Sequence, residues 1–327
     1  MALPASETKH IPILSYQFGS ETFTLNQRDD HGVTNGTTLW LGGQVLAYYL
    51  SSELPGGGTS RLSKGGTITS DMKLQEAVEE AVASDRAPKQ RRKRAIELGS
   101  GIGLTALALH SMGWDVCATD VEPVVSTVLR PNIKMNTGDP VRECKKDGHI
   151  LECRELDWAV PPQQWDWAHP EAVARHQAEQ DTFPTADSQN IDSSLTVKRA
   201  LSPPFDLIVT ADTLYTPALV IPLLRSLHNL ASLSIVGDSK HSCTIYVAVE
   251  RRDPGLMDRA FQQCSSPPWG FRIERVRATK VRKALEKAKV PWVKERGAWE
   301  GVEIWKMRLP RDMATAPLAS ASSSSSH

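Results

Sequence analysis

The segment IELGSGIGL, residues 96–104, constrains this chain more than any other. An apolar run ends at Leu98, glycines stand at 99, 101 and 103, and the helical pattern LTALALHSMG follows. That order reads as strand, tight turn, helix. Glycines at these places let the backbone turn sharply and let a ligand approach main-chain N–H groups. In an open α/β sheet such a turn lies at the carboxyl end of a strand, where ligands bind.

The rest of the chain agrees with that reading. From residue 95 onward, short apolar runs alternate with helical patterns. AIEL, DVCATD (115–120), HILECRELDW (149–158), FDLIVTADTLY (205–215), TIYVAVERR (244–252), GFRIERVRA (270–278) and GVEIWKMRL (301–309) read as strands with their exit turns. Helices are expected over 121–136, with a bend or restart near Pro131, over 216–232 and over 254–264. The fold class is therefore α/β: a doubly wound, mostly parallel, seven-stranded sheet. The direction of the last strand stays open. Residues 1–38 are expected to hold an N-terminal β-hairpin ahead of a short helix at LGGQVLAYYL (41–50). The main domain spans 39–310, with insertions at about 51–94 and 160–203. The first insertion includes a short amphipathic helix over 71–84. The low-complexity tail, 311–327, is expected to be disordered. Residues 51–70 and 170–198 lack sustained apolar periodicity and are expected to be dispensable for folding.

Composition narrows the function classes. Lys plus Arg number 38 and Asp plus Glu 38, so the formal net charge is zero. On that ground neither a globally basic nucleic-acid binder nor charge-driven attachment to a membrane surface is expected. No stretch approaches the roughly 18 apolar residues of a membrane span, and MALPASETKH has no apolar leader. The five cysteines are widely spaced without a CxxC, which reads as reduced thiols in a cytoplasmic or nuclear protein. The spacing of His169 and His176 matches no helix-borne metal pair, and no metal is expected. No G-x-S-x-G occurs. The basic cluster KQRRKR (89–94) reads as a localisation signal, a contact for an acidic partner, or a solvated loop.

The glycine loop suits an adenosine-containing cofactor, and two kinds compete. A nicotinamide fingerprint counted from Gly99 needs a third glycine at 104, which is Leu. Counted from Gly101 it fits Gly103 and Ala106, but Gly99 and Ser100 then separate it from its strand. The pattern E-x-G-x-G-x-G, with Glu97, Gly99, Gly101 and Gly103, fits without strain and is the pattern of S-adenosylmethionine binding. Asp120 ends the second strand, where an acid is placed to accept hydrogen bonds from both ribose hydroxyls. The alternatives are a plain strand–helix turn for the loop and a helix N-cap for Asp120.

With these motifs the chain resembles the seven-β-strand methyltransferases, in particular the methyltransferase-like protein-lysine methyltransferases. The resemblance runs from about Leu39 to Leu309. It is carried by LWLGGQVLAYYL (39–50), ELGSGIGL (97–104), ATDVEP with NIKMN (118–123 and 132–136), ELDW (155–158), ADTLY (211–215) and YVAVERR (246–252). RELDW, YVAVERR and EIWKM are most similar to the subgroup acting on a nuclear nucleic-acid-binding protein. The resemblance implies that Trp40 lies near the methionine end of S-adenosylmethionine and that Asp157 and Trp158 lie against the adenine. It implies cofactor contacts also for Ser100 and Ala211. An indole suits both places, since its face stacks on a base or attracts a sulfonium.

Within the resemblance, Asp212-Thr213-Leu214-Tyr215 stands where adenine and glutamine methyltransferases carry Asn-Pro-Pro-Tyr. This D-x-x-Y type implies a protein lysine. Asp212 then holds the incoming ammonium and Tyr215 walls the channel or orients the amine; a cap on the helix near Thr216 is the other reading of Asp212. The expected partner is a protein substrate, with no direct nucleic-acid binding, and a monomer is expected. A methyltransferase of a small molecule or nucleic acid on the same fold and a non-catalytic cofactor-binding scaffold stay as alternatives.

Overall fold

Apolar runs too hydrophobic to face water on either side become the strands of one sheet buried on both faces. The structure is a computed structural model; it describes residues 5–28, 35–54, 91–138, 148–176, 200–236, 243–295 and 297–314. A helical turn at Ala5–Thr8 precedes a hairpin, β1 (Ile13–Phe18) and β2 (Glu21–Asn26), paired antiparallel from Ile13 opposite Asn26 to Phe18 opposite Glu21. The sheet strands follow: β3 (Arg94–Leu98), β4 (Asp115–Asp120), β5 (Leu151–Leu156), β6 (Ala172–Ala174), β7 (Leu207–Ala211), β8 (Thr244–Glu250), β9 (Arg272–Arg275) and β10 (Val302–Arg308). Their spatial order is β6-β5-β4-β3-β7-β8-β10-β9. Neighbours from β6 to β8 run parallel. The last strand, β10, inserts between β8 and β9 and is antiparallel to both.

The expected sheet of seven strands thus has an eighth. It comes from residues 160–203, read from sequence as a surface insertion. Ala172, Val173 and Ala174 are buried and pair with the end of β5. Arg154 on β5, fully buried, fastens the same segment. Its guanidinium donates to the carbonyls of Trp167 (3.2 Å), His169 (3.3 Å) and Leu201 and pairs with Glu152 at 3.1 Å. It also lies over the Trp167 ring, 5.3 Å from the centroid. Residues 177–199, most of the first insertion including 71–84, and residues 315–327 of the tail lie outside the described residues.

Helices α1 (Leu41–Glu53), α2 (Leu104–Ser111), α3 (Arg130–Thr137), α4 (Pro217–Leu233), α5 (Pro254–Ser265) and α6 (Ala278–Lys287) cover the two faces. One core joins the hairpin, α1, α2 and α6 to one face, with Trp292 and Trp299 filling it. The other packs α4 and α5 on the opposite face with Phe205, Trp269 and Phe271. The restart expected near Pro131 is a π-helical turn, Val125–Leu129, passing into α3 at Arg130. Proline brings no N–H to a helical ladder, so the register changes where one donor is missing.

Two asparagines of α3 hold the hairpin's outer edge. Asn132 accepts from Asn26 N (2.7 Å) and donates to Asn26 O (3.0 Å); Asn136 does the same for Thr24 (2.9 and 2.8 Å). Four helical residues rise about 6 Å and two strand residues about 6.6 Å, so two carboxamides in successive turns match alternate residues of a strand.

Candidate functional site

The carboxyl ends of β3, β4, β5 and β7 open into one cavity of about 260 Å3. Every residue expected to bind cofactor or act on the acceptor lines it except Gly103. At the end of β3 the chain turns through Gly99 (φ 65°), Gly101 (φ 53°) and Gly103 (φ 89°) into α2. Left-handed backbone of this kind disfavours any side chain. Space forbids one as well. A Cβ on Gly99 would stand 2.6 Å from Thr213 Cγ2 and 3.2 Å from the Trp158 ring. One on Gly101 would stand 3.0 Å from the carbonyl oxygen of Gly36, so this glycine makes room for the loop before α1 as well as for a ligand. Gly103 serves packing: its Cβ would strike Leu129 at 2.9 Å.

Two carboxylates stand beside the loop. Asp120, at the end of β4, accepts from Gly101 N (2.7 Å) and from Val121 N (2.8 Å). It therefore ties the glycine loop to the neighbouring strand. Burial raises its carboxyl to about 6, against the pull of those two N–H groups. Glu97 is 2% exposed, and burial pushes its carboxyl up to about 8 although Ser100, Thr105 and Ala106 hydrogen-bond to it. Its Oε2 has no hydrogen-bond partner among the described residues. Ser100, named from its place in the loop, accepts from Thr119 N through its hydroxyl (3.1 Å) and pins the loop to β4.

Trp158 and Asp157 follow β5. The Trp158 carbonyl and the Ala159 carbonyl accept from Arg225 of α4 at 2.7 and 3.0 Å. Asp157 closes the turn by accepting from Ala159 N (2.8 Å). The indole N–H of Trp158 is buried with no partner among the described residues. An unmet acceptor oxygen and an unmet donor lining one cavity are what a polar ligand would satisfy.

Asp212 sits at the end of β7 with φ 55°, an outlier for a residue with a side chain. The two backbone donors that reach it explain the strain. Its Oδ2 accepts from Gly42 N in the first turn of α1 (2.7 Å), and its Oδ1 from Glu250 N at the end of β8 (2.9 Å). Trp40, the residue before α1, provides no side-chain cap, so Asp212 caps that helix from across the sheet. The alternative reading, a cap on the helix near Thr216, does not match these bonds: both oxygens of Asp212 accept from Gly42 N and Glu250 N. Burial raises the Asp212 carboxyl to about 6. Tyr215 is 55% exposed at the rim.

A second cavity of about 230 Å3 adjoins the first. Asn35, Trp40, Asp212 and Tyr215 line both and so form the doorway between them. The Trp40 indole N–H donates to the Asn35 carbonyl at 2.5 Å. Sequence reasoning missed Asn35, Gly36, Thr213 and Arg225. Arg225 lies on a helix face that reads as an ordinary polar position, and the loop before α1 carries no motif of its own.

Among the described residues no group of His, Cys, Asp and Glu is arranged to hold a metal ion, and no helix is long and apolar enough to cross a membrane.

A family model described as lysine methyltransferase matches residues 19–168, from the turn of the hairpin to the residues after β5. No curated protein matches the chain. Three solved structures illustrate the likeness in space. Cofactor-bound Rv0187 from MTB is 13% identical with a TM-score of 0.36, covering 82% of this chain and 88% of that one. A ribosomal protein L11 methylase from Lactobacillus delbrueckii subsp. bulgaricus is 15% identical with a TM-score of 0.32, covering 74% and 80%. A magnesium protoporphyrin IX methyltransferase from Synechocystis with bound SAM is 12% identical with a TM-score of 0.33, covering 82% and 97%.

Proposed function

We propose that the protein is an S-adenosylmethionine-dependent methyltransferase whose acceptor is the side-chain amine of a lysine in a protein. One observation carries the reading: the two cavities meet at a doorway built from Trp40, Asp212 and Tyr215, with the glycine loop on one side and an acid-lined vestibule on the other. Donor and acceptor need two such chambers sharing one aperture.

The residues present fit the cofactor. Asp120 keeps lone pairs for ribose hydroxyls, Trp158 presents an aromatic wall and an unmet N–H for a base, and the bare oxygen of Glu97 suits an amino group. When bound, S-adenosylmethionine supplies an electrophilic methyl group on a sulfonium. The protein's work on the acceptor is to desolvate and aim it. A lysine amine has a free pKa of about 10.4 and must lose its proton before it can attack. Tyr215 and Trp40 exclude water at the doorway, and removal from water favours the neutral amine. Asp212, ionised above about 6, places a negative charge where the ammonium arrives. No dedicated base is needed, because water takes the proton as the amine enters. Positioning supplies most of the acceleration.

The test uses tritiated S-adenosylmethionine and a cell extract lacking this protein. Label that is removed by protease and recovered as methyl-lysine after hydrolysis supports the proposal. Label that is removed by nuclease, or that stays with small molecules, overturns it. The family description points the same way as the D-x-x-Y segment.

A further inference from the structure

The second cavity has a wall that the roles above leave unused. Beyond the doorway it is lined by Leu214, after β7, and by Glu250, Arg252, Asp253 and Met257, where β8 runs into α5. One of these side chains closes on Trp40. The Arg252 guanidinium lies over the indole ring, 4.4 Å from its centroid, and pairs with the Glu250 carboxylate. Asp253 is already engaged as the N-cap of α5, accepting from Leu256 N at 2.9 Å. Arg252 has no comparable duty. Its side chain is 52% exposed, and its two partners both face the cavity.

An aromatic face beside a carboxylate is a seat for a cation. Here the protein's own cation occupies it, at the entrance to the aperture where Trp40 meets Asp212. Leu214 and Met257 line the same chamber with apolar surface, which suits a flexible hydrocarbon stem behind a charged head. With Arg252 turned out to solvent, the remaining charged groups of the chamber are Asp212, Glu250 and Asp253, all acidic.

We infer that the second cavity seats the acceptor side chain, a long aliphatic chain ending in an ammonium, and that Arg252 is its internal substitute, holding Trp40 and Glu250 until the incoming cation displaces it. The inference rests on the lysine reading above and adds to it a recognition site and a competing residue. A half-exposed ion pair is weakly held, so displacement by a cation of the right length is inexpensive. A neutral or anionic side chain finds no compensation for breaking it.

The experiment reads the indole N–H signal of Trp40 in protein labelled with 15N-tryptophan and saturated with S-adenosylhomocysteine. The signal is assigned by its loss in Trp40→Phe. The probes are N-acetyl-lysine methylamide and its neutral counterpart N-acetyl-norleucine methylamide. The lysine probe is expected to move the signal at lower concentration than the norleucine probe. Arg252→Ala should tighten the lysine probe by about threefold, the scale of an exposed ion pair, while Glu250→Gln weakens it by a similar factor. Affinity for S-adenosylhomocysteine should be unchanged in Arg252→Ala, which reports that the fold is intact. Unaltered or weaker lysine-probe binding in Arg252→Ala overturns the substitute role while leaving the lysine reading standing. Norleucine binding as well as lysine, or no shift by either probe in any variant, overturns both.

Discussion

Asp212 holds two backbone N–H groups while standing at the doorway, and a substitution separates the two duties. Asparagine tolerates the left-handed φ of 55°. Its amide, however, has one acceptor where the carboxylate has two, so either Gly42 N or Glu250 N then faces an NH2 group. Asp212→Asn is therefore expected to lower stability by about 1–3 kcal/mol, the scale of one buried donor left unmet. Turnover on a protein substrate should also fall, by at least about tenfold, which needs about 1.4 kcal/mol at the transition state. A thermal-unfolding curve and kcat/KM, with cofactor affinity as control, measure the two effects apart. Glu97 gives a second prediction at this scale. Its carboxyl is held up to about 8, so near pH 7 it is largely protonated in the ligand-free protein. An ammonium brought against it favours the ionised form. S-adenosylmethionine binding at pH 7 should then release a proton, and the calorimetric enthalpy should vary with the ionisation enthalpy of the buffer. Glu97→Gln should abolish that variation.

At the scale of elements, legibility followed length and locality. β4, β7 and β8 announce themselves as apolar runs bounded by turn residues, and the glycine loop announces the helix after it. β6 does not, because the three residues Ala172–Ala174 are too few to show any period. What holds them is pairing with β5, with Arg154 fastening the chain on either side at Trp167, His169 and Leu201. A buried arginine inside CRELDW looks in sequence like one more polar residue on an alternating strand. The doorway was half legible for a similar reason. Asp212 and Tyr215 stand out as a motif, but the partner of Asp212 is Gly42, 170 residues away. The expectation that 170–198 is dispensable is accordingly replaced. A Gly/Ser linker over 170–198 would delete β6 and bare the edge of β5, and loss of soluble folded protein is expected. Arg154→Leu should act in the same direction, costing about 3–5 kcal/mol, because Glu152 and three carbonyls lose this buried cation together. Melting temperatures of the two variants against the parent decide it.

For the molecule as a whole, the raised carboxyls make stability depend on pH. Glu97 binds its proton more tightly in the folded protein than in the unfolded chain, where its value is 4.5. The burial penalty is absent below that range, grows as pH rises and is complete above about 8. Asp120 and Asp212 add to it between 3.8 and about 6. The melting temperature of the ligand-free protein should fall as pH is raised from about 5 to about 8, and Glu97→Gln should flatten the upper part of that fall. A melting series in buffers of constant ionic strength measures it. The hairpin has a consequence of another kind, one that concerns time. The amides that occupy its outer edge belong to residues 106 and 112 positions later in the chain. During synthesis from the amino end, β2 is complete long before α3 exists, and a two-stranded hairpin without a third partner is marginal in water. The hairpin thus waits for the partners of its outer edge, and throughout that interval the open edge is exposed to any other unpaired strand nearby.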